Sequence, residues 1–348
     1  MTDKKRYDVI DLEKFTMSLF VAAIHINPLG KYSSVLYPWI RMAVPFFFIC
    51  SGFFLFSELE GSHCPEKLFA KFGKRCVLLY LTWSVALLPI VVFLNRDASS
   101  LREMLLRLIG CFLLTGTFGG SWYLIALIEG SVIVYFVSKS KKMFWVLSMC
   151  SVAIYIVCCL ASNYAFLLDG RKLEVYLNNY HKIMGMPIYL SWPVSLLWIC
   201  IGRAMACNIV NLQKLKKLPL LLLLIAALTL LMLEEFWLSR TVMVNSRVTD
   251  SYLCLPFVVV LLFFISVQCF QPIKRSLFLR KASTVVFCLH HSVNRILEYG
   301  INRFWPQGIN VPIISLSRFI LVLLVCLLIT QLLVYIGKRK NSMFRYMI

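Results

Sequence analysis

The residue types best suited to chemistry lie on one stripe of the first apolar block. At about 100° per residue, Lys14 and His25 stand three turns apart on one helical face, roughly 16 Å along the axis, with Asp11 and Ser18 on the same stripe. The remaining faces are mainly Leu, Phe, Val and Ile. A neutral imidazole both donates and accepts hydrogen bonds, and its ordinary pKa of about 6.5 suits proton transfer. His25 is therefore the leading candidate for a chemical role in moving a proton. Asp11 and Lys14 by themselves would equally well mark a membrane interface.

The second apolar block, Arg41-Met-Ala-Val-Pro-Phe-Phe-Phe-Ile-Cys-Ser-Gly-Phe-Phe54, adds an arginine at its outer start and a proline and a Ser-Gly pair inside. Arg41 fits stabilisation of a developing oxyanion or capture of an anionic acceptor, and fits an interfacial anchor as well. Ser51 with Gly52 reads more readily as a close helix crossing than as a nucleophile, since no Gly-x-Ser-x-Gly surrounds it. Glu129 falls mid-block, where an unpaired carboxylate is expensive, so it is expected to be protonated or paired with a cation such as Arg41 or Lys14. Such a pairing could be structural or catalytic. His290 and His291 are adjacent and point about 100° apart on a helix, so at most one is expected to face a cavity. Trp122, Tyr123, Trp192 and Trp305 read as an aromatic belt.

These residues need a scaffold of membrane helices to hold them. The chain has 348 residues, 60% hydrophobic and 15% charged, with the apolar residues in long blocks divided by short basic clusters. That pattern predicts an all-α, polytopic integral membrane bundle. About ten spans are expected, at roughly Leu12 to Leu29, Tyr37 to Ser57, Cys76 to Leu94, Ser121 to Ser138, Met143 to Ser162, Pro187 to Cys207, Leu218 to Leu238, Ser251 to Phe270, Ser283 to Leu297 and Ile313 to Ile336. With both termini cytoplasmic, most of the 36 Lys and Arg fall inside. The clusters are Lys4, Lys5, Arg6 and Lys14; Lys67, Lys71, Lys74 and Arg75; Lys139, Lys141 and Lys142; Arg203, Lys214, Lys216 and Lys217; Lys274, Arg275, Arg280 and Lys281; and Lys338, Arg339, Lys340 and Arg345.

The net charge of +20 is dealt out at alternate helix ends, which suits orientation and contact with anionic membrane lipids. No basic and aromatic groove for nucleic acid is visible. The longest connections, Asn95 to Gly120 and Asn163 to Met186, are too short for a soluble domain; the first carries an amphipathic pattern suited to the outer interface. The 13 cysteines form no Cys-x-x-Cys pair, so neither a metal site nor a disulfide framework is expected. The basic start runs into a span without a small-residue cleavage site, so the first helix is expected to remain as an anchor.

Lys14 followed by His25, with the segment Val44-Pro-Phe-Phe-Phe-Ile-Cys-Ser-Gly-Phe53, resembles the signature of the acyltransferase-3 family of integral membrane acyltransferases. The resemblance extends to Lys71-Phe-Gly-Lys-Arg75, Ser121-Trp-Tyr-Leu124 and Val286-Phe-Cys-Leu-His290, over nearly the whole chain as one transmembrane domain, 1–348. Lys14 stands where the family usually has Arg, and Lys71 with Lys74, or Lys74 with Arg75, stands for an Arg-x-x-Arg pair. Lysine keeps the charge but loses the bidentate fork. The runs Ala23-Ile-His-Ile-Asn-Pro-Leu29 and Arg41-Met-Ala-Val-Pro45 are also similar to the membrane domain of vancomycin-type serine racemases. A racemase domain is not expected after the last apolar block.

The resemblance implies an enzyme of a multi-pass cell membrane (inner or plasma). It would move an acyl group, acetyl first, from acyl-CoA to a hydroxyl of a cell-surface or lipid-linked glycan. Lys14, Lys71, Lys74 and Arg75 would hold the donor's phosphates on the cytoplasmic side. His25 would act on the acceptor with Glu129 and Arg41, and Asp11, Ser18, Ser51, Trp122, Tyr123 and His290 would line or support the cavity. Acyl-CoA is a co-substrate, and no bound cofactor or metal is implied. Two other classes stand beside this one. A transporter of amino acids or other small molecules would use the same polar seam as a path, although no internal repeat is present. A non-catalytic membrane partner would leave His25 without a role.

Overall fold

The computed structural model describes residues 7–94, 100–242, 248–269, 271–305, 311–337 and 347–348. Among the sequence-stated positions, Lys4, Lys5, Arg6, Asn95, Phe270, Lys338, Arg339, Lys340 and Arg345 lie outside the described residues. Helices follow one another in the order α1 (Asp8–Ile26), α2 (Tyr37–Ile40), α3 (Ala43–Leu59), α4 (Pro65–Leu94), α5 (Leu101–Gly110), α6 (Trp122–Val137) and α7 (Lys141–Leu160). They continue with α8 (Lys172–Met184), α9 (Trp192–Cys207), α10 (Ile209–Leu212), α11 (Lys217–Thr241), α12 (Leu255–Gln268), α13 (Ser276–Phe304) and α14 (Pro312–Ile336). No strand occurs among the described residues, and the chain is an all-helical membrane protein.

Each expected apolar block has an α-helix at its core, although the one from Tyr37 is divided between α2 and α3 and those from Pro187 and Ser251 become α-helical only at Trp192 and Leu255. The stretch Tyr37–Leu59 and the helices α4, α7, α11 and α14 are long and apolar enough to cross a bilayer, and α6, α9 and α12 are shorter apolar helices. Two helices at expected span positions, α1 and α13, fall in neither group. They carry the candidate histidines, and they solve the cost of their polar residues by packing on each other. Helix α4 starts at Pro65, well before the expected Cys76, because Lys67 to Arg75 are good helix formers and the helix continues out of the apolar layer. The amphipathic α5 is present as expected: the Ser100 hydroxyl accepts from the Glu103 N–H at 3.2 Å, and Arg107 pairs with Glu103 one turn on. Helix α8, in the second long connection, was not anticipated. It presents exposed Val175, Tyr176 and Ile183 and stops at Gly185, whose φ of 72° is in the left-handed region.

Helix α9 sits at the centre against α3, α6 and α7. Its approach to α3 depends on two glycines. A Cβ at Gly202 would stand 2.5 Å from the Ile49 carbonyl oxygen, and one at Gly52 would stand 3.0 Å from the Ile199 carbonyl oxygen. The Ser51-Gly52 pair is thus a close crossing, as the sequence favoured. Tyr123 is buried beside it and not in an interfacial belt: its hydroxyl lies 3.1 Å from the Ser51 hydroxyl, and its ring packs on Phe48 and Phe287.

Helices α1 and α13 run parallel and in register. The Ser276 hydroxyl donates to Asp8 at 2.9 Å, the Ser283 hydroxyl to the Lys14 carbonyl at 2.9 Å, and the Asn294 amide to the His25 carbonyl at 3.4 Å, with separations in sequence of 268, 269 and 269. Asp8 also accepts from the Ile273 N–H at 3.1 Å, placing a carboxylate at the positive end of the α13 dipole. The constant offset fixes one rotation of each helix against the other, so residues three turns up both helices meet.

Candidate active site

His25 is in the last turn of α1, half-buried, and meets α13 at the level of its two histidines. Its ring centre lies 5.2 Å from that of His290 and 5.0 Å from that of His291. Both neighbours therefore flank His25. The 100° between them is real, but His25 enters the groove between the two directions, so each ring reaches it from its own side.

His290 is fully buried. Its Nδ1 lies 2.8 Å from the Val286 carbonyl and 3.0 Å from the Phe287 carbonyl. Carbonyls only accept, so Nδ1 carries the proton, and in the neutral ring Nε2 is left as a lone-pair acceptor. That Nε2 is buried with no hydrogen-bond partner among the described residues, and so is His291 Nδ1. His291 is pressed against the turn before α6: a Cβ at Gly119 would stand 2.1 Å from the ring carbon Cγ. The turn is closed by Ser121, whose hydroxyl donates to the Phe118 carbonyl at 2.6 Å and accepts from the Phe118 N–H at 3.0 Å. Gly119 went unnoticed in sequence; the Gly-Gly pair just ahead of Ser121-Trp-Tyr was the available signal.

Arg41 follows α2 and pairs with Asp250, in the connection before α12. Its field reaches His25, while its Nε is buried without a partner. Glu129 pairs with neither Arg41 nor Lys14 and makes no hydrogen bond or ion pair among the described residues, so of the two expected alternatives the cation pair is not the one seen. The reason is steric. Ala126 and Gly130 press that face of α6 onto Ser195 of α9, with the Ser195 hydroxyl donating to the Ala126 carbonyl at 3.0 Å. Glu129 then faces another direction, with Tyr180 of α8 among its electrostatic neighbours. Trp122 is half-buried and packs at 6.3 Å from Phe48.

Farther toward the start of α1, the Lys14 ammonium lies 4.9 Å from the centre of the Phe54 ring and beside Cys50. Asp11 is buried. Ser18 is fully buried and donates to the Phe15 carbonyl at 2.7 Å, so its hydroxyl serves its own helix. Glu13 was missed by the helical-wheel reading, which followed the His25 stripe. One of its oxygens accepts from the Ser266 hydroxyl at 2.5 Å, and the other is buried without a partner. Lys71, Lys74 and Arg75 are exposed on the first turns of α4 and make no hydrogen bond or ion pair among the described residues. No contact among those residues joins them to Lys14.

The arrangement supplies a group of imidazoles inside the bundle with unfilled acceptor positions, and a free cationic cluster at the end of one span. Among known proteins, the chain is similar to two amino-acid racemases of Enterococcus faecalis. One is 30% identical over 187 residues, 51% of this chain and 25% of that protein; the other is 26% identical over 356 aligned positions, 97% of this chain and 47% of that protein. It is also 29% identical over 152 residues to a serine/alanine racemase of Enterococcus gallinarum, 39% of this chain and 21% of that protein. The chain thus spans less than half the length of each of these relatives. No solved structure matches it significantly. The family model described as an acyltransferase domain, acyltransferase-3, matches residues 7–334. With that match across both polar helices and the apolar bundle that encloses them, the chain belongs to the acyltransferase-3 family.

Proposed function

We propose that the protein transfers an acyl group, acetyl first, from acyl-CoA to a hydroxyl of a cell-surface or lipid-linked glycan, in the cell membrane. The observation that carries this reading is the contact of His25 with His290. Because His290 Nε2 can only accept, it suits an N–H from His25, which leaves the other His25 nitrogen with a lone pair for the substrate. As general base, that nitrogen takes the acceptor hydroxyl's proton while the oxygen attacks the thioester carbonyl. The tetrahedral oxyanion then collapses, the C–S bond breaks, and the proton passes to the CoA thiolate. As acyl carrier, the same nitrogen attacks the thioester first, the C–S bond breaks and the thiolate leaves; in a second step the hydroxyl oxygen takes the acyl group as the N–acyl bond breaks, and the hydroxyl's proton ends on the CoA thiolate. Arg41, which is held by Asp250, would supply the positive charge for oxyanion stabilisation in either route.

Donor entry from the cytoplasm is supported by the exposed Lys71, Lys74 and Arg75, with Lys14 deeper along α1. Glu129 has no part in this scheme, since Arg41 is taken by Asp250. The test is release of free CoA by purified protein supplied with acetyl-CoA and a glycan acceptor, together with mass spectrometry of surface glycans from cells with and without the protein. Transfer that needs both substrates, and surface glycans that lose acetyl in the protein's absence, are the expected results.

A second reading, binding or transport of an amino acid, is favoured by one observation: the similarity to an amino-acid racemase of Enterococcus faecalis runs over 97% of this chain. Serine uptake by proteoliposomes with no acyl donor present would support it over the first.

A further inference from the structure

The outer end of α1 poses a local problem. The last carbonyls of a helix have no partners within it, and α1 stops at once after Ile26 because Asn27 takes a left-handed conformation, φ 52°. The Ile26 side chain and backbone are fully buried, so water is not at hand for its carbonyl. Two residues from other helices meet this need. Arg318 of α14 donates through Nη2 to the Ile26 carbonyl at 2.7 Å, and Asn294 of α13 donates to the His25 carbonyl at 3.4 Å. Glu298 ties the two together, accepting from Asn294 at 2.9 Å and from Arg318 at 3.4 Å, with Arg295 alongside at 3.2 Å.

Arg318 stands out in its own helix. Helix α14 has the highest mean hydropathy of the five long spans, 2.9, and its other contacts in this seam are apolar: Val322 and Cys326 against Ala22, Ile26 and Val286. A buried guanidinium in such a span is costly and calls for a specific partner. Its positive charge lies at the negative end of the α1 dipole, and Glu298 balances the remainder.

We infer that Arg318, Asn294 and Glu298 are positioning residues for His25. They grip the backbone of the turn that carries it, and so keep its imidazole between His290 and His291. This rests on the reading of His25 as the group that handles the acceptor proton or the acyl chain. General support for the helix pair comes from elsewhere: the Asp8 and Lys14 contacts hold α1 to α13 along the remainder of its length. Loss of Arg318 therefore frees the His25 turn and leaves the pair assembled.

The 348-residue chain has five histidines, and ¹⁵N-histidine labelling in lipid nanodiscs reads each ring. His25 is assigned by its disappearance in His25→Gln. In the wild type, His25 gives one set of ring signals. Arg318→Met shifts or doubles that set while His181, on the exposed α8, is unchanged, and Arg318→Lys, which keeps the charge and one donor, returns His25 toward the wild-type position. Asn294→Ala shifts His25 in the same sense and decides the question alone if Arg318→Met does not insert. With acetyl-CoA and an N-acetylglucosamine oligosaccharide, Arg318→Met lowers kcat about tenfold, near the low end for disturbing an acid–base group, at unchanged KM for acetyl-CoA. Unaltered His25 signals in inserted variants overturn the inference, as do equal shifts of His25 and His181. If His25→Gln keeps full transfer, the reading of His25 fails while the ring signals still decide positioning. If His25→Gln loses transfer and Arg318→Met keeps the wild-type kcat, positioning alone fails.

Discussion

The rings of His25 and His290 stand 5.2 Å apart, centre to centre, on two helices that run the same way and stay in register from Asp8 and Ser276 up to this level. His290 is held in one tautomer by the Val286 and Phe287 carbonyls, so the Nε2 it presents beside His25, without a partner among the described residues, is an acceptor fixed by the turn of α13.

Replacing His25 separates the chemical roles. His25→Ala is expected to leave insertion and acyl-CoA binding nearly intact while cutting transfer by at least ~10²-fold, the usual loss on removing a general base. His25→Gln keeps one hydrogen bond but takes no proton at neutral pH, so it is expected to fall as far. Free CoA release measures both, and full activity in the Gln variant contradicts the mechanism.

Gly119 gives a test from the other side of the cluster. A Cβ there would land 2.1 Å from His291, and the ring cannot remain where it is. Gly119→Ala is expected to reduce transfer tenfold or more, while the protein's level in the membrane stays near the wild-type value. Undiminished transfer would show that His291 has no bearing on the site.

A glycine at the α3–α9 crossing and one in open space on α4 are expected to respond to alanine with opposite signs. Gly202→Ala forces a Cβ to within 2.5 Å of a backbone oxygen, and overpacking of this kind costs about 1–3 kcal/mol. Gly73, inside α4 with nothing within 4 Å, is expected to gain roughly 0.5–1 kcal/mol as Ala through helix propensity. Thermal melting of the detergent-purified variants compares them directly.

Charge reversal at Lys74 and Arg75 addresses the donor. Each contact to a CoA phosphate is worth about 1.5–3 kcal/mol as a hydrogen bond to a charged group. The double variant is expected to bind acyl-CoA at least tenfold more weakly, read by calorimetry on well-inserted protein. Equal affinity would leave these residues with a role in orientation only.

Orientation itself is open to reporters. A fusion after Lys142 is expected to report the cytoplasm, and one within 163–186, beside α8, the outside. The parallel pairing of α1 and α13 requires their N-termini to share a side, so a reporter near Lys274 is expected to agree with one before Asp8. Disagreement would remove the basis for cytoplasmic donor entry.

The sequence by itself determined the class and the stripe. Long apolar blocks between basic clusters can only be hydrocarbon-spanning helices, since backbone groups have no other partners there. Helical periodicity put Lys14 and His25 on one face without knowledge of any neighbour. The Ser51-Gly52 crossing was legible for a similar reason, because small residues have few uses inside a span. Pairings between helices were not legible, because nothing local encodes which distant side chain arrives at a given level. Asp250, 209 residues away, is the partner of Arg41, and nothing in the local sequence named it. Both His290 and His291 reached His25 because the parallel register of α1 and α13 set the groove between them, and that register is fixed by contacts 268 and 269 residues apart. Arg318 looked like an isolated charge in an apolar block until the tertiary structure brought it to the Ile26 carbonyl, 292 residues earlier in the chain.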